Sequence, residues 1–192
     1  MTLVERVQGI IMKPKDTWPV LAAESQTVGS LYVGYIAPLA AIGPIASLIG
    51  TSLLFTGILH LSWTFGIVNA VVSYVVALIA VFVTALIAEV LAPSFGGTKD
   101  RMQALKLIAY AQTPAWIAGI LLIFTPLGII VLLAALYGLY VLYLGVSPVM
   151  NVPADKAAGY TIVLVIVSIV IYICIAVIVG LVRTTAMVSL GG

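Results

Sequence analysis

The chain has 192 residues, of which 64% are hydrophobic and only 7% are charged, and its formal net charge is +2. Soluble domains carry roughly a quarter of their residues as charged side chains, so this composition excludes a water-soluble protein and places the chain in a bilayer. Because the basic residues are few and scattered, we expect no nucleic-acid partner and interpret them as signals of membrane orientation.

Residues 1–28 predict a short amphipathic segment ahead of the first long apolar run. Thr2 and Glu5 have the spacing of a capping box. Apolar side chains then recur at helical intervals, at Leu3, Val7, Ile10 and Ile11. A second short helix is predicted after Pro14, and we expect no secretory signal because Glu5 interrupts the apolar stretch. We expect this segment to stay cytoplasmic, lying on lipid headgroups or docking a partner.

The apolar sequence that follows is long enough for five membrane-spanning helices. Leu31–Ala92 contains a single acid, Glu89, and as one helix would extend about 90 Å, roughly three times the hydrocarbon thickness. Breaks are predicted at Gly57–Ser62, at the glycines that follow Pro93, at Phe124–Gly128 and in a polar loop from Ser147 to Lys156. The predicted spans are 31–55, 65–91, 104–124, 127–145 and 160–182. The predicted fold is all-α, a polytopic helical bundle with residues 29–192 as its membrane domain.

Basic residues are distributed unequally between the two predicted sides of the membrane. With a cytoplasmic N-terminus, seven of them fall inside, namely Arg6, Lys13, Lys15, Lys99, Arg101, Lys106 and Lys156. Only Arg183 falls on the far side. By the positive-inside rule, this asymmetry predicts a multi-pass protein of the bacterial cytoplasmic (inner) membrane with a cytoplasmic N-terminus and a C-terminus on the far side.

Reactive side chains are few and do not converge. His60 is the sole histidine, is predicted in a far-side turn and has no second metal ligand at useful spacing. Cys174 is the sole cysteine, which excludes an internal disulfide framework and a thiolate metal cluster. No aspartate lies in a predicted span, and the serines there have no histidine at the same depth to activate them. The sequence predicts no catalytic residue, no metal site and no cofactor, and therefore a protein that is not an enzyme.

The most polar stretch inside a predicted span is Tyr110–Pro114. Pro114 lies about ten residues into span three, where it lacks a backbone donor and leaves the carbonyl of Tyr110 without its usual partner. Lipid offers no replacement, so these groups must face other helices, where Gln112 and Thr113 can form hydrogen bonds. The stretch is predicted to be the kinked centre of the bundle, serving either structure or a small polar cavity.

Glu89 and Lys106 are the charged candidates near the membrane. Glu89 is placed near the cytoplasmic end of span two, within reach of Lys106 or Arg101 at the start of span three. One interpretation is an interfacial ion pair, and the other is a transport-linked carboxylate.

Several aromatic side chains are predicted to anchor the protein at the membrane interface. Trp18 lies in the second N-terminal helix. Tyr137, Tyr140 and Tyr143 recur at three-residue spacing toward the cytoplasmic end of span four. Tyrosine and tryptophan rings are enriched at the headgroup level, so these positions favour an aromatic belt.

In these features the chain resembles bacterial members of the Yip1 family of five-span membrane proteins. The resemblance rests on the order and spacing of Leu3–Val7, Lys13–Trp18, Glu24, Tyr110–Pro114, Tyr140–Gly145 and Met150–Ala157. It covers nearly the whole chain and implies a polytopic membrane protein without established enzymatic activity. Eukaryotic relatives are associated with Rab GTPases through a larger N-terminal region. This chain has only about 30 residues there, so we expect no GTPase partner.

The sequence therefore supports two hypotheses of function. The first is a non-enzymatic membrane protein that organises local bilayer structure or protein partners, with membrane lipids and a membrane protein or a second copy as its contacts. The alternative is a small-solute or ion transporter or channel with its polar site around Gln112, Thr113 and Pro114.

Overall fold

Helices are the only regular elements in the part of the chain that the computed structural model describes, residues 1–55 and 63–190. The α-helices are α1 (Leu3–Met12), α2 (Pro14–Ala23), α3 (Val28–Leu31), α4 (Ala37–Ala40), α5 (Ile42–Phe55), α6 (Trp63–Leu91), α7 (Arg101–Ala111), α8 (Thr113–Ala118), α9 (Gly128–Met150) and α10 (Ala154–Leu190). A π-helical turn, Tyr32–Ile36, joins α3 to α4, and 3₁₀ turns occupy Ala92–Phe95, Gly119–Ile123 and Thr125–Leu127. The predicted break at Gly57–Ser62, with His60, lies outside the described residues.

Within the described residues, five helical segments are long and apolar enough to cross a membrane, which confirms the all-α, five-span fold. They are span one (Val28–Thr51), span two (Gly66–Phe95), span three (Arg101–Ile123), span four (Gly128–Met150) and span five (Ala154–Ile173). Their outer surfaces carry exposed valine, isoleucine and leucine side chains, as a lipid-facing bundle requires.

The two N-terminal helices begin with different local signals. Thr2 caps α1, because its hydroxyl accepts from the backbone N–H of Glu5 while the Glu5 carboxylate accepts from the Thr2 N–H. This backbone donor lowers the pKa of the Glu5 carboxyl group. Pro14 then occupies the first turn of α2, where a missing N–H costs nothing.

One end of the bundle, here called the N-terminal face, collects α1, α2 and the turns around residues 92–100 and 151–153. Gly96 adopts a left-handed conformation with φ of 78°, and the backbone N–H of Thr98 then donates to the carbonyl of Met150 at 2.8 Å. The predicted polar loop from Ser147 was wrong at both ends, because α9 continues through Pro148 to Met150 and α10 begins at Ala154. The turn that contains Thr98 satisfies the terminal carbonyl of α9, so a long loop is not needed there.

Glycines allow the broken span three to pack closely against its neighbours. An added Cβ at Gly50 of span one would overlap the carbonyl oxygen of Ile123. A Cβ at Gly138 of span four would lie 2.7 Å from the carbonyl oxygen of Ala111. Small residues thus bring backbone against backbone on both sides of span three.

Candidate functional site

Lys106 is almost fully buried, with 2% of its surface exposed, although it lies in the middle of α7. Its ammonium donates to the carbonyl oxygens of Leu21 at 2.9 Å, Ala22 at 3.2 Å and Glu24. These carbonyls belong to the C-terminal end of α2, where helices leave acceptors unpaired and the helix dipole attracts positive charge. All three ammonium protons therefore have partners, and Lys106 fixes the end of α2 to span three.

Two further side chains from the spans bind the ends of the N-terminal helices. The side-chain amide of Gln103 donates to the carbonyl of Ala22 at 3.0 Å, beside Lys106. The Tyr137 hydroxyl of span four donates to the carbonyl of Ile11 at 2.8 Å, in the last turn of α1. Backbone carbonyls in the last turns of both α1 and α2 therefore accept hydrogen bonds from side chains of the membrane bundle.

Trp18 of α2 is inserted between spans three and four and has no exposed surface. Its indole N–H donates to the carbonyl of Val141 at 3.0 Å, and its ring packs edge-on to Tyr110 with a centroid distance of 6.1 Å. A Cβ at Gly145 would lie 2.5 Å from the indole, so only glycine leaves room for it. The predicted anchoring of the Trp18 ring among lipid headgroups was therefore wrong, because a matching slot and a backbone acceptor in span four bury the ring inside the protein.

We call Trp18, Gln103, Lys106 and Tyr137 the N-terminal clamp. An ion pair between Arg6 and Glu24 at 2.5 Å links α1 to the residue that follows α2, and the Glu24 carboxylate also lies 3.5 Å from the N-terminal amine. The clamp and this pair hold residues 1–24 on the N-terminal face as a fixed layer. The prediction for Tyr137 is corrected here, since its hydroxyl binds α1, whereas Tyr140 and Tyr143 are exposed.

A run of polar contacts leads from this layer into the bundle. Gln26 donates to the Glu24 carboxylate at 3.2 Å and lies 3.3 Å from the Tyr110 hydroxyl. The ring of Tyr110 packs against that of Tyr35 with a centroid distance of 4.7 Å, and the Tyr35 hydroxyl lies 2.7 Å from that of Thr113. Tyr110 and Thr113 are thus brought together by Tyr35, while Thr113 has no exposed surface.

The break in span three separates Gln112 from Thr113. Helix α7 ends at Ala111 and α8 begins at Thr113, with Pro114 in its first turn, so the predicted interruption of the helix is present. Thr113 is bonded to Tyr35 of span one, whereas Gln112 lines a different space, a cavity of about 330 Å³ between spans two, three, four and five. The sequence placed both polar groups at one centre, but the turn at Gln112 directs them to different neighbours.

Glu89 is buried and pairs with Arg101, whose Nε lies 3.0 Å from its carboxylate. Of the two partners that the sequence proposed, the structure therefore selects Arg101. Lys106 is occupied by the end of α2 and has no ion pair with Glu89. Within the described residues, no group of three or more histidine, cysteine, aspartate or glutamate side chains could hold a metal ion.

Comparisons with known proteins identify the family of this chain. The Yip1 domain family model matches residues 9–182. The chain belongs to the Yip1 family. It is also similar to the inner membrane protein YohC of Escherichia coli strain K12, at 25% identity over 166 residues that cover 82% of this chain and 85% of the relative. YohC of E. coli O6:H1 strain CFT073 matches with the same identity and coverage, and no solved structure matches the chain.

Family membership confirms the resemblance drawn from the sequence and fits the five-span bundle. Several residues that organise this Yip1 protein were not identified from its sequence, namely Gln26, Tyr35, Gln103 and Tyr137 as hydrogen-bonding partners. One signal was present: tyrosines recur within the spans, and those at 32, 74, 137 and 160 each donate to a carbonyl of another segment. A buried tyrosine hydroxyl requires an acceptor, so these residues mark helix contacts.

Proposed function

We propose that this Yip1 protein is a non-enzymatic, multi-pass protein of the bacterial inner membrane that presents α1 and α2 as a fixed surface for a membrane-protein partner. The proposed location is that of the similar E. coli protein YohC, an inner membrane protein. The predicted orientation places this surface in the cytoplasm, because seven of the eight basic residues lie on its side of the membrane.

The observation that carries this proposal is the use of one buried and two partly buried donors to hold a short peripheral segment in place. Lys106, Gln103 and Tyr137 donate hydrogen bonds to backbone carbonyls at the C-terminal ends of α1 and α2. The donor groups of these three side chains are therefore engaged with the protein's own backbone. A buried lysine is costly unless fully bonded, so its placement here favours a function that needs these helices in a defined position.

The outward side of the fixed layer offers a mixed apolar and basic surface. Met12 is 77% exposed, and Val4 and Val20 are more than half exposed. Lys13 and Lys15 are exposed next to Met12. Such a surface suits either lipid headgroups or the cytoplasmic part of another membrane protein, and the rigid attachment favours the protein partner.

The transport alternative has weaker geometric support. A permeation path around Gln112, Thr113 and Pro114 needs those polar groups to line one space, whereas Thr113 is buried against Tyr35 and only Gln112 lines the cavity between spans two to five. We therefore keep the alternative as an outcome of the experiment that follows.

A photocrosslinking amino acid at Met12 tests the proposal in intact cells, with a matched substitution at Ile166, an exposed apolar residue of span five. We expect a discrete protein adduct from position 12 that disappears when Lys106→Met is added, and no such adduct from position 166. An adduct of twice the chain mass would identify a second copy as the partner. Lipid adducts alone at both positions, or solute flux through liposomes of the purified chain, would contradict it.

A further inference from the structure

The cavity between spans two, three, four and five, called the interhelical cavity, has the features of a ligand site. Its volume of about 330 Å³ lies at the lower end of the usual range for small-molecule pockets, about 300–1,000 Å³. Its walls are mainly apolar, with four polar side chains directed to it from three helices, those of Thr84, Gln112, Ser168 and Tyr172. A mostly apolar pocket with a few polar groups is the usual composition of such sites.

Thr84 is the unusual member of this set. Only 4% of its surface is exposed, and its hydroxyl has no hydrogen-bond partner. Other helical hydroxyls in the chain donate to the carbonyl four residues earlier, as those of Thr17, Thr51, Thr161 and Ser168 do. A buried hydroxyl without a partner is unfavourable, so the Thr84 hydroxyl has a donor available for the acceptor oxygen of a ligand.

The location and charge of the cavity limit what that molecule can be. Thr84 lies about 8 Å along α6 from Glu89, and Ser168 lies about 21 Å along α10 from its first residue, Ala154. The Thr84 end of the cavity is therefore nearer the N-terminal face of the bundle than the Ser168 end is. Leu139, Ile169 and Tyr172 line the cavity and are exposed on the outer surface of spans four and five, which gives access from lipid. None of the lining side chains that the structure describes is ionisable near neutral pH, so a charged group would have no counterion there.

We propose that the interhelical cavity binds the chain of a membrane-dissolved molecule whose carbonyl oxygen accepts a hydrogen bond from the Thr84 hydroxyl. The apolar chain lies along Leu139, Leu164 and Ile169, and the cavity reaches Gln112 at the break in span three. Two sources share this chemistry, the acyl ester of a glycerolipid and the ring carbonyl of a prenylated quinone. Either would enter laterally from the bilayer, and the site is independent of the surface formed by α1 and α2.

The test compares two diazirine probes on the purified chain in nanodiscs, a sixteen-carbon methyl ester and the corresponding alkane. We expect the ester to label peptides that contain residues 84 and 168 more strongly than the alkane does. Thr84→Val should reduce ester labelling about fivefold, the effect of one hydrogen bond, and leave alkane labelling unchanged. Thr84→Ser should retain ester labelling. Thr161→Val is the matched control, because Thr161 is also buried in a span but is bonded to its own helix.

A substitution that fills the cavity and competition by unlabelled compounds complete the test. Ala135→Phe should block labelling by both probes, since Ala135 lines the cavity. Competition by unlabelled phosphatidylethanolamine would identify a glycerolipid, and competition by an unlabelled prenylated quinone would identify a carbonyl-bearing ring. The proposal is overturned if ester and alkane label equally, if Thr84→Val labels like Thr161→Val, or if neither unlabelled compound competes. Melting temperatures of all variants establish that each is folded.

Discussion

Lys106 shows how a charged residue in a membrane span can be structural. The sequence placed it correctly at the start of span three but proposed it, or Arg101, as the partner of Glu89, because charge complementarity is visible in a sequence and free helix-end carbonyls are not. Its three acceptors are backbone atoms of α2, which carry no residue-specific signal.

Lys106→Met should lower the free energy of unfolding by about 2 kcal/mol, because several buried carbonyl oxygens lose their donor. Thermal unfolding of the purified protein in detergent measures this loss. Lys99→Met is the matched control, since Lys99 is exposed on the same face and its replacement should change stability little. Equal melting temperatures for the two variants would show that Lys106 does not hold α2.

The contact between Trp18 and Gly145 gives a second residue-scale prediction. Gly145→Ala should destabilise the protein by about 1–3 kcal/mol, because its Cβ overlaps the indole. In Trp18→Leu the overlap is removed, so the same glycine substitution should cost much less, and a double-mutant cycle of unfolding free energies measures the difference. Gly29→Ala is the control, with no atom within 4 Å of the added Cβ. Additive effects at 18 and 145 would contradict the packing described.

At the scale of helices, the sequence predicted the break in span three but not its consequence. Proline chemistry is local, so Pro114 could be identified as the cause of an interrupted helix. The direction in which Gln112 and Thr113 point depends on the backbone turn between α7 and α8 and on Tyr35, which is distant in the chain.

The capping box at Thr2 and Glu5 was likewise predictable, because it is local. Lys106 as a cap for α2 was not predictable, because its partners are 82 to 85 residues away.

This arrangement predicts unequal effects for two neighbouring substitutions. Thr113→Val should lower the unfolding free energy by about 1 kcal/mol, because the buried Tyr35 hydroxyl loses its partner. Gln112→Leu should cost less, since an apolar side chain can enter the cavity that the amide faces and the partner it leaves, the Tyr172 hydroxyl, belongs to a residue that is 42% exposed. Melting temperatures in detergent distinguish them. The opposite ranking would mean that Gln112, and not Thr113, holds the broken span in place.

At the scale of the whole molecule, composition and hydrophobic length were sufficient for the five-span count, because each span must satisfy its backbone within a helix. The orientation of the protein across the membrane is an independent prediction, made from the distribution of the basic residues. In a Cys174→Ala background, single cysteines at Lys15, Lys99 and Lys156 should be shielded from an impermeant thiol reagent added outside intact spheroplasts. A cysteine at Gly191 should react. Reaction at positions 15 and 191 from the same side would contradict an odd number of spans.

The central claim is that residues 1–24 form a fixed layer on the N-terminal face, and amide hydrogen exchange of the full chain in nanodiscs tests it most directly. We predict that amides of α1 and α2 exchange far more slowly than those of an unfolded peptide, and that Lys106→Met accelerates exchange in α2 while Lys99→Met does not. Fast exchange throughout α1 and α2 in the wild-type protein would contradict the claim, because a clamped segment cannot open freely.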